Sequence, residues 1–359
     1  MPGLRFKKYF CENTTQMEVR IHQLIIHELD KVADDTEAKL FLSNEVAPRD
    51  ERAQLLVQKL HDTFISKTDV LQGFLSSPED ALFPGYFQHL QEQGVSEEAF
   101  ITFSKDTMAA LQLSIQGVVG AKGGYLVYAD YEIFEARALG IFLVRDTEGV
   151  VFNKNEDGTT FNLNTTTYLN TDKLAMACRI LFNKAKQGTE RCVELIKHAK
   201  SQKEISEYFI NWIGLERHES SKELTHTFLE MVSQLPLPVN EESGAPIQEG
   251  EFREAVVKFA MNSPDKTIDL KKFDERFYEG EAKTETFLQE NELSLDQEFR
   301  FDGNLVRKFN SYRAYAEGIT VNFSRNHVQS KQVEIEGDSV VIRSAALVEK
   351  LLAMMEGGY

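Results

Sequence analysis

Residues 173–182 read KLAMACRILF, and this stretch decides the fold class. Leu174, Met176, Cys178, Ile180 and Phe182 alternate with Lys173, Ala175, Ala177, Arg179 and Leu181. An apolar face recurring at period two predicts a strand. Upstream, Gly123 and Gly124 open shorter strand-like segments over 125–131, 139–144 and 150–153, and RDTEG at 145–149 reads as a hairpin turn between the last two. Connections this short imply antiparallel pairing, because parallel neighbours need crossovers of about a dozen residues or more. Residues 19–29 add a strand that runs into a turn. Leu56, Leu60 and Phe64 recur at helical spacing within 51–67, as do Phe100, Phe103, Met108, Leu111 and Ile115 within 97–115. The two helices are expected to cover one face of the sheet. Between them SSPEDALFPGYFQ at 76–88, with Pro78, Pro84 and Gly85, reads as a loop.

Downstream of 182 the charge changes sign. LFNKAKQGTERCVELIKHAKSQK at 181–203 holds Lys184, Lys186, Arg191, Lys197, Lys200 and Lys203 against Glu190 and Glu194, in a chain whose formal net charge is −17. The period then becomes 3.6. Ile205, Tyr208, Phe209, Trp212 and Ile213 form a helical stripe, Ser201 and Glu204 have capping-box spacing, and Gly214 can end the helix. Helices are also expected over 221–235 and 251–261, joined by PLPVNEESGAPIQEG, a mobile link by composition. Residues 241–298 carry sixteen acidic and seven basic side chains, a local charge of −9, which makes them a poor DNA surface. Strands return over 305–316, 319–323, 333–336 and 340–343, before a helix capped by Ser344 whose buried stripe is expected to be Leu347, Val348, Leu351, Leu352 and Met355. The expected fold is α+β: an antiparallel sheet with covering helices, a helical middle segment and a strand-rich C-terminal segment ending in a helix. The corresponding domains are 1–203, 204–297 and 298–359, the last packing on the rest.

Composition excludes several classes. The 359 residues, 42% of them hydrophobic, suffice for about two domains with substantial cores. Cys11, Cys178 and Cys192 make no C-x-x-C pair and are odd in number, which supports neither a disulfide framework nor a zinc ribbon. No run approaches the roughly 18 apolar residues of a membrane span, and the basic N-terminus lacks an apolar continuation, so a cytoplasmic protein is expected. An acidic chain repels nucleic acid at long range and confines any such contact to a patch.

Several segments in series carry a resemblance: IHQLIIHEL at 21–29, SKTDVLQGFL at 66–75, GGYLVYADYE at 123–132, LGIFLVRDTEGVVFN at 139–153, TTTYLNTDKLAMACRILF at 165–182, ISEYFINWIGL at 205–215 and GITVNFSRNHVQ at 318–329. Together they resemble the bacterial nucleoid-associated proteins of the NdpA type over nearly the whole chain. The resemblance implies a cytoplasmic protein that accompanies the nucleoid and binds nucleic acid, with no catalytic activity and no active-site residues to carry over. Where that family is more basic and contains glycine, this chain reads KHAKSQKE at 197–204.

Two groups of residues are candidates for nucleic-acid contact. Lys197, Lys200 and Lys203 flank the start of a helix, where amide N–H groups and the helix dipole favour a phosphate, and Lys184, Lys186 and Arg191 extend that footprint. Arg307, Lys308, Arg313, Arg325 and Lys331 are interleaved with Phe309, Tyr312, Tyr315 and Phe323, a pattern that tracks a backbone while stacking exposed bases. The competing readings are a solvated strand-to-helix turn and core aromatics. Gly117, Gly120, Gly123 and Gly124 with Lys122 do not make a phosphate loop, because no G-K-[ST] follows and the next element is a strand. His22, His27, His218 and His226 lack metal-ligand spacing, no G-x-S-x-G elbow occurs, and no cofactor motif is present. The expected function is sequence-independent binding of DNA, or of RNA, without catalysis. The alternative is an acidic adaptor recruited to the nucleoid by a DNA-handling enzyme.

Overall fold

The computed structural model describes residues 19–33, 35–118, 120–134, 136–155, 159–196, 203–240 and 244–356, without the side chains of 203–206 and 356. It is α+β and divides into two compact units. The first comprises described residues up to Lys67 together with Gly73–His218, and the second comprises Thr68–Gln72 with the described residues from Glu219 onward. The aromatic helix after the basic stretch thus belongs to the first unit, and the acidic helices and C-terminal strands share the second.

The first unit is built on strands β1 (Arg20–Asp30), β2 (Lys39–Phe41), β4 (Gly124–Ile133), β5 (Ala136–Lys154), β6 (Phe161–Leu181) and β7 (Val193–Ile196), residues 73–75 of β3 (Val70–Leu75) and residues 215–218 of β8 (Leu215–Ser220), with helices α1 (Glu51–Ser66), α2 (Leu82–Glu92), α3 (Glu97–Ile115), α4 (Phe182–Gln187) and α5 (Lys203–Ile213). One sheet runs β2-β1-β4-β5-β6-β7-β3-β8, and its β1–β2, β1–β4, β4–β5, β5–β6 and β6–β7 pairings are antiparallel.

Strand alternation sends the two long helices to opposite faces, which corrects the expectation of one shared face. Val127, Ala129 and Tyr131 point to the side where Val57, Leu60 and Phe64 of α1 pack. Tyr128 points the other way, its hydroxyl 3.1 Å from Thr107 Oγ1 of α3, and the Trp212 indole N–H of α5 donates to the Thr107 carbonyl at 2.9 Å. Both faces of the sheet centre are therefore buried, and Ala177 and Arg179 are as buried as Cys178 and Ile180.

Other segments also differ from expectation. Residues 82–92 form α2 rather than a loop, because Pro84 lies in the first turn, where a missing N–H costs no helical hydrogen bond. RDTEG lies inside β5, paired with 166–169, and is not a turn. A turn signal failed there because Gly149 also serves a strand: Tyr168 lies across it, and an added Cβ would come within 2.6 Å of that ring. Between β6 and α5 the chain inserts α4 and β7 where a plain turn was expected, with Gly188 ending α4 in the left-handed region at φ 70°.

The second unit contains α6 (Ser221–Gln234), α7 (Glu249–Met261), β9 (Thr267–Asp269), α8 (Leu270–Phe277), α9 (Lys283–Glu290), β10 (Glu298–Arg300), α10 (Gly303–Lys308), β11 (Ser311–Ala316), β12 (Ile319–Ser324), α11 (Arg325–Gln329), β13 (Val333–Glu336), β14 (Ser339–Ile342) and α12 (Ala345–Glu356). Phe228, Phe252, Phe273 and Phe299 centre its core. Gln72 joins this unit by exchanging hydrogen bonds with the Arg300 backbone, at 2.8 and 2.7 Å. Ser220 and Glu223 form the capping box of α6. Residues 305–308, expected as the start of a strand, belong instead to α10, because Asp302 caps that helix by accepting from the N–H groups of Asn304 and Leu305. The stripe of α12 is exposed rather than buried, with Leu351 at 51% and Met355 at 80%. Periodicity shows that a helix has an apolar face; it does not supply the surface that covers it. Within 236–248, Val239 and Pro246 form an isolated bridge.

His27 gives the first unit a pH dependence. Its Nδ1 accepts the Ser43 N–H at 3.1 Å and its Nε2 lies 2.9 Å from Ser104 Oγ, whose hydroxyl donates to the Ile101 carbonyl, so the ring is neutral with the proton on Nε2. Burial, with a smaller contribution from the charge of Lys105, lowers its pKa from 6.5 to about 4. The unfolded chain therefore takes up this proton between pH 6.5 and 4 while the folded chain does not. This contribution is complete above pH 6.5 and is lost as pH falls, by on the order of 3 kcal/mol across the window. Urea melts of the wild type and His27→Gln from pH 7 to 4 are expected to show a shallower pH dependence for the variant.

Candidate nucleic-acid interface

Lys184, Lys186 and Arg191 sit at the β6–α4–β7 junction. Lys184 is engaged with Glu190 at 3.0 Å, whereas Lys186 on the same short helix is exposed. The Cys192 N–H donates to the Gly73 carbonyl at 3.0 Å, which sets β7 beside β3 and brings the Arg191 guanidinium to 5.9 Å from the centre of the Phe74 ring. On the other side β8 approaches so closely that a Cβ on Gly73 would lie 2.8 Å from the Glu216 carbonyl oxygen. This approach lays Arg217 over the same ring at 4.2 Å. Its side chain remains 67% exposed, and its backbone adopts φ 44°, an uncommon conformation for a residue with a side chain. Two arginines thus approach one aromatic ring, and the exposed one, Arg217, presents a planar fork suited to phosphate oxygens.

Sequence reasoning found Arg191 and missed Arg217. Nothing in local spacing marks Arg217, because its position depends on the arrangement of β3 and β8. Nearby Glu216 is exposed and 3.8 Å from Arg217, while Glu194 is buried against Arg179 at 2.8 Å and does not face outward. Lys197, Lys200 and the expected cap Ser201 lie outside the described residues. Lys203 begins α5, and its side chain is likewise outside the described set.

The second group belongs to the other unit and divides by strand alternation. Arg313 and Tyr315 share one face of the β11–β12 hairpin, both exposed. Tyr312 lies on the opposite face against Phe323, and Arg325 packs over its ring at 4.7 Å and donates to its hydroxyl at 2.6 Å. Phe309 is covered by Arg253 at 4.4 Å, so it is not a free stacking surface. Arg307 is exposed on α10, and Lys308 borders an open groove of about 630 Å³ lined also by His226, Glu230, Arg253 and Phe309. Lys331 is exposed, with φ 58°.

The glycine loop before β4 is occupied by its own chain. Lys31 Nζ donates to the carbonyls of Asp35, Val118 and Ala121 at 2.7, 3.3 and 3.2 Å, and Arg145 donates to those of Lys122 and Gly123. The loop presents carbonyls to cations, the reverse of an anion cradle. Cys178 and Cys192 are buried, and burial pushes the Cys178 thiol up. Among the described residues no group of three or more His, Cys, Asp or Glu side chains could hold a metal ion, and no helix is long and apolar enough to cross a membrane.

The family model described as nucleoid-associated protein YejK matches residues 25–350. A nucleoid-associated protein of Pseudomonas savastanoi pv. phaseolicola is 24% identical over 324 residues, covering 88% of this chain and 93% of that protein. One from Pseudomonas entomophila is 24% identical over 335 residues, with 90% and 95% covered, and one from Pseudomonas paraeruginosa is 23% identical over 337 residues, with 92% and 95% covered. With the family model spanning nearly the whole chain, this protein belongs to the nucleoid-associated protein family.

Proposed function

We propose that the chain binds DNA directly, without catalysis and with little sequence preference, through the basic surface of its first unit in the bacterial cytoplasm. The observation that carries this reading is the approach of Arg191 and Arg217 to the Phe74 ring, at 5.9 and 4.2 Å, with Arg191 and exposed Lys186 both in a segment locally positive within a chain of net charge −17. Guanidinium and ammonium groups recognise phosphate oxygens irrespective of base identity, which fits a protein distributed over a chromosome. The same chemistry extends to RNA. Arg307, Lys308, Arg313 and Arg325 in the second unit are proposed as a secondary contact, with Tyr315 available to stack on an unpaired base.

The rival reading rests on the −9 charge of residues 241–298, which suits docking on a basic DNA-handling enzyme and would make nucleoid association indirect. Co-sedimentation of the tagged chain with nucleoids, before and after nuclease digestion, separates the two. Direct binding predicts release from the pellet on digestion and retention of no stable protein complex. A complex that survives digestion would favour the adaptor.

A further inference from the structure

Beyond Asp146 and Leu169, β5 and β6 leave the body of the sheet as a two-stranded arm in regular register, with Asp146 opposite Leu169 and Lys154 opposite Phe161. Directly opposed residues share a face. One face of the arm therefore carries Val150, Phe152, Phe161 and Leu163, with Thr165, Thr167 and Leu169 toward its base, and the other carries Thr147, Val151, Asn153, Asn162, Asn164, Thr166 and Tyr168. Asn162 and Asn164 alternate with Phe161 and Leu163, the pattern of a strand with one buried face. Yet Val150, Phe152, Phe161 and Leu163 are each 62–69% exposed. A two-stranded ribbon alone is marginally stable in water, so its apolar face needs a cover.

We propose that this face packs against the same face of a second copy, about a twofold axis near the Val150–Thr165 pair. Such an axis sets the base of one arm against the tip of the other. Asp146, on the apolar face near the base, then meets Lys154 of the partner's tip, Val150 meets its own counterpart, and Phe161 lies over Leu169, which is itself partly packed on the core of the first unit. The contact is thus reciprocal, with the Asp146–Lys154 pair made twice around Val150, as an isologous contact requires. Covering it removes roughly 600 Å² per copy, about 1,200 Å² in the pair, which reaches the lower range of stable interfaces. Nucleic acid is a poor occupant, because residues 146–169 hold four acids and one base.

Sedimentation equilibrium of the full chain in a Cys11→Ser background tests the proposal. The expected result is a dimer at micromolar concentration that Phe152→Asp with Leu163→Asp weakens at least a hundredfold while the far-UV circular dichroism stays unchanged. Val150→Cys, near the axis, is expected to form a disulfide with its partner copy on mild oxidation, and Thr166→Cys on the opposite face is not. Lys154→Glu should weaken association about tenfold, and adding Asp146→Lys should restore it. A monomeric wild type, a dimer indifferent to the Phe152 and Leu163 changes, or cross-linking through position 166 rather than 150 would overturn the proposal. An arm covered by another protein or by nucleic acid would give the first of these results.

Discussion

Replacing Arg137 by alanine is expected to cost about 3 kcal/mol of unfolding free energy, the lower end for breaking a buried pair because one partner is partly exposed. Asp130 on β4 is fully buried, and Arg137 grips it through two hydrogen bonds, Nε to Oδ1 at 2.8 Å and Nη2 to Oδ2 at 2.6 Å. The guanidinium also packs 5.4 Å from the centre of the Phe182 ring, so alanine removes both the countercharge and a packed surface. What remains is a buried carboxylate without its countercharge, which is costly. Urea denaturation at pH 7 reads the effect, and Arg137→Lys, which keeps the charge and loses the fork, should fall between the two. Equal stability of wild type and Arg137→Ala at pH 7 would show that solvent reaches Asp130.

The second large effect is on binding. Lys186→Glu combined with Arg217→Glu is expected to reduce affinity for duplex DNA by about a hundredfold at 50 mM salt, and to lower the slope of log K against log salt by about 2. Both side chains are exposed, so the fold should be untouched. The matching reversal in the second unit, Arg307→Glu with Arg313→Glu, is expected to have the smaller effect. Fluorescence anisotropy with one labelled duplex compares all three proteins. A larger loss from the second pair would move the principal interface to that unit.

The centre of the fold is legible in the sequence because its signals are local. Helix α3 is visible from the recurrence of Phe100, Phe103, Met108, Leu111 and Ile115, and the strand over 173–181 from alternation. Misreadings fall where one signal serves two structures. Asp146 and Gly149 look like a turn, yet they lie in a strand because a facing strand continues to pair with them. Pro84 looks like a break, but it occupies a first helical turn. The apolar stripe of α12 announces a helix and not its surroundings. At the candidate interface, Lys186 and Arg191 are visible as local charge, whereas Arg217 joins Phe74 only through contacts between distant strands. A charge count along the chain cannot see that arrangement.

Net charge opposes nonspecific adhesion to phosphate, so binding must arise where cations are concentrated and held in place. Arginines on a shared aromatic ring meet both requirements. The most direct test is the binding of the purified full chain to two duplexes of unrelated sequence, titrated from 50 to 300 mM salt. Direct phosphate contact predicts binding at the lowest salt, a linear fall of log K with log salt, and the same slope for both duplexes. Absence of binding at 50 mM salt, or an affinity indifferent to salt, would contradict it.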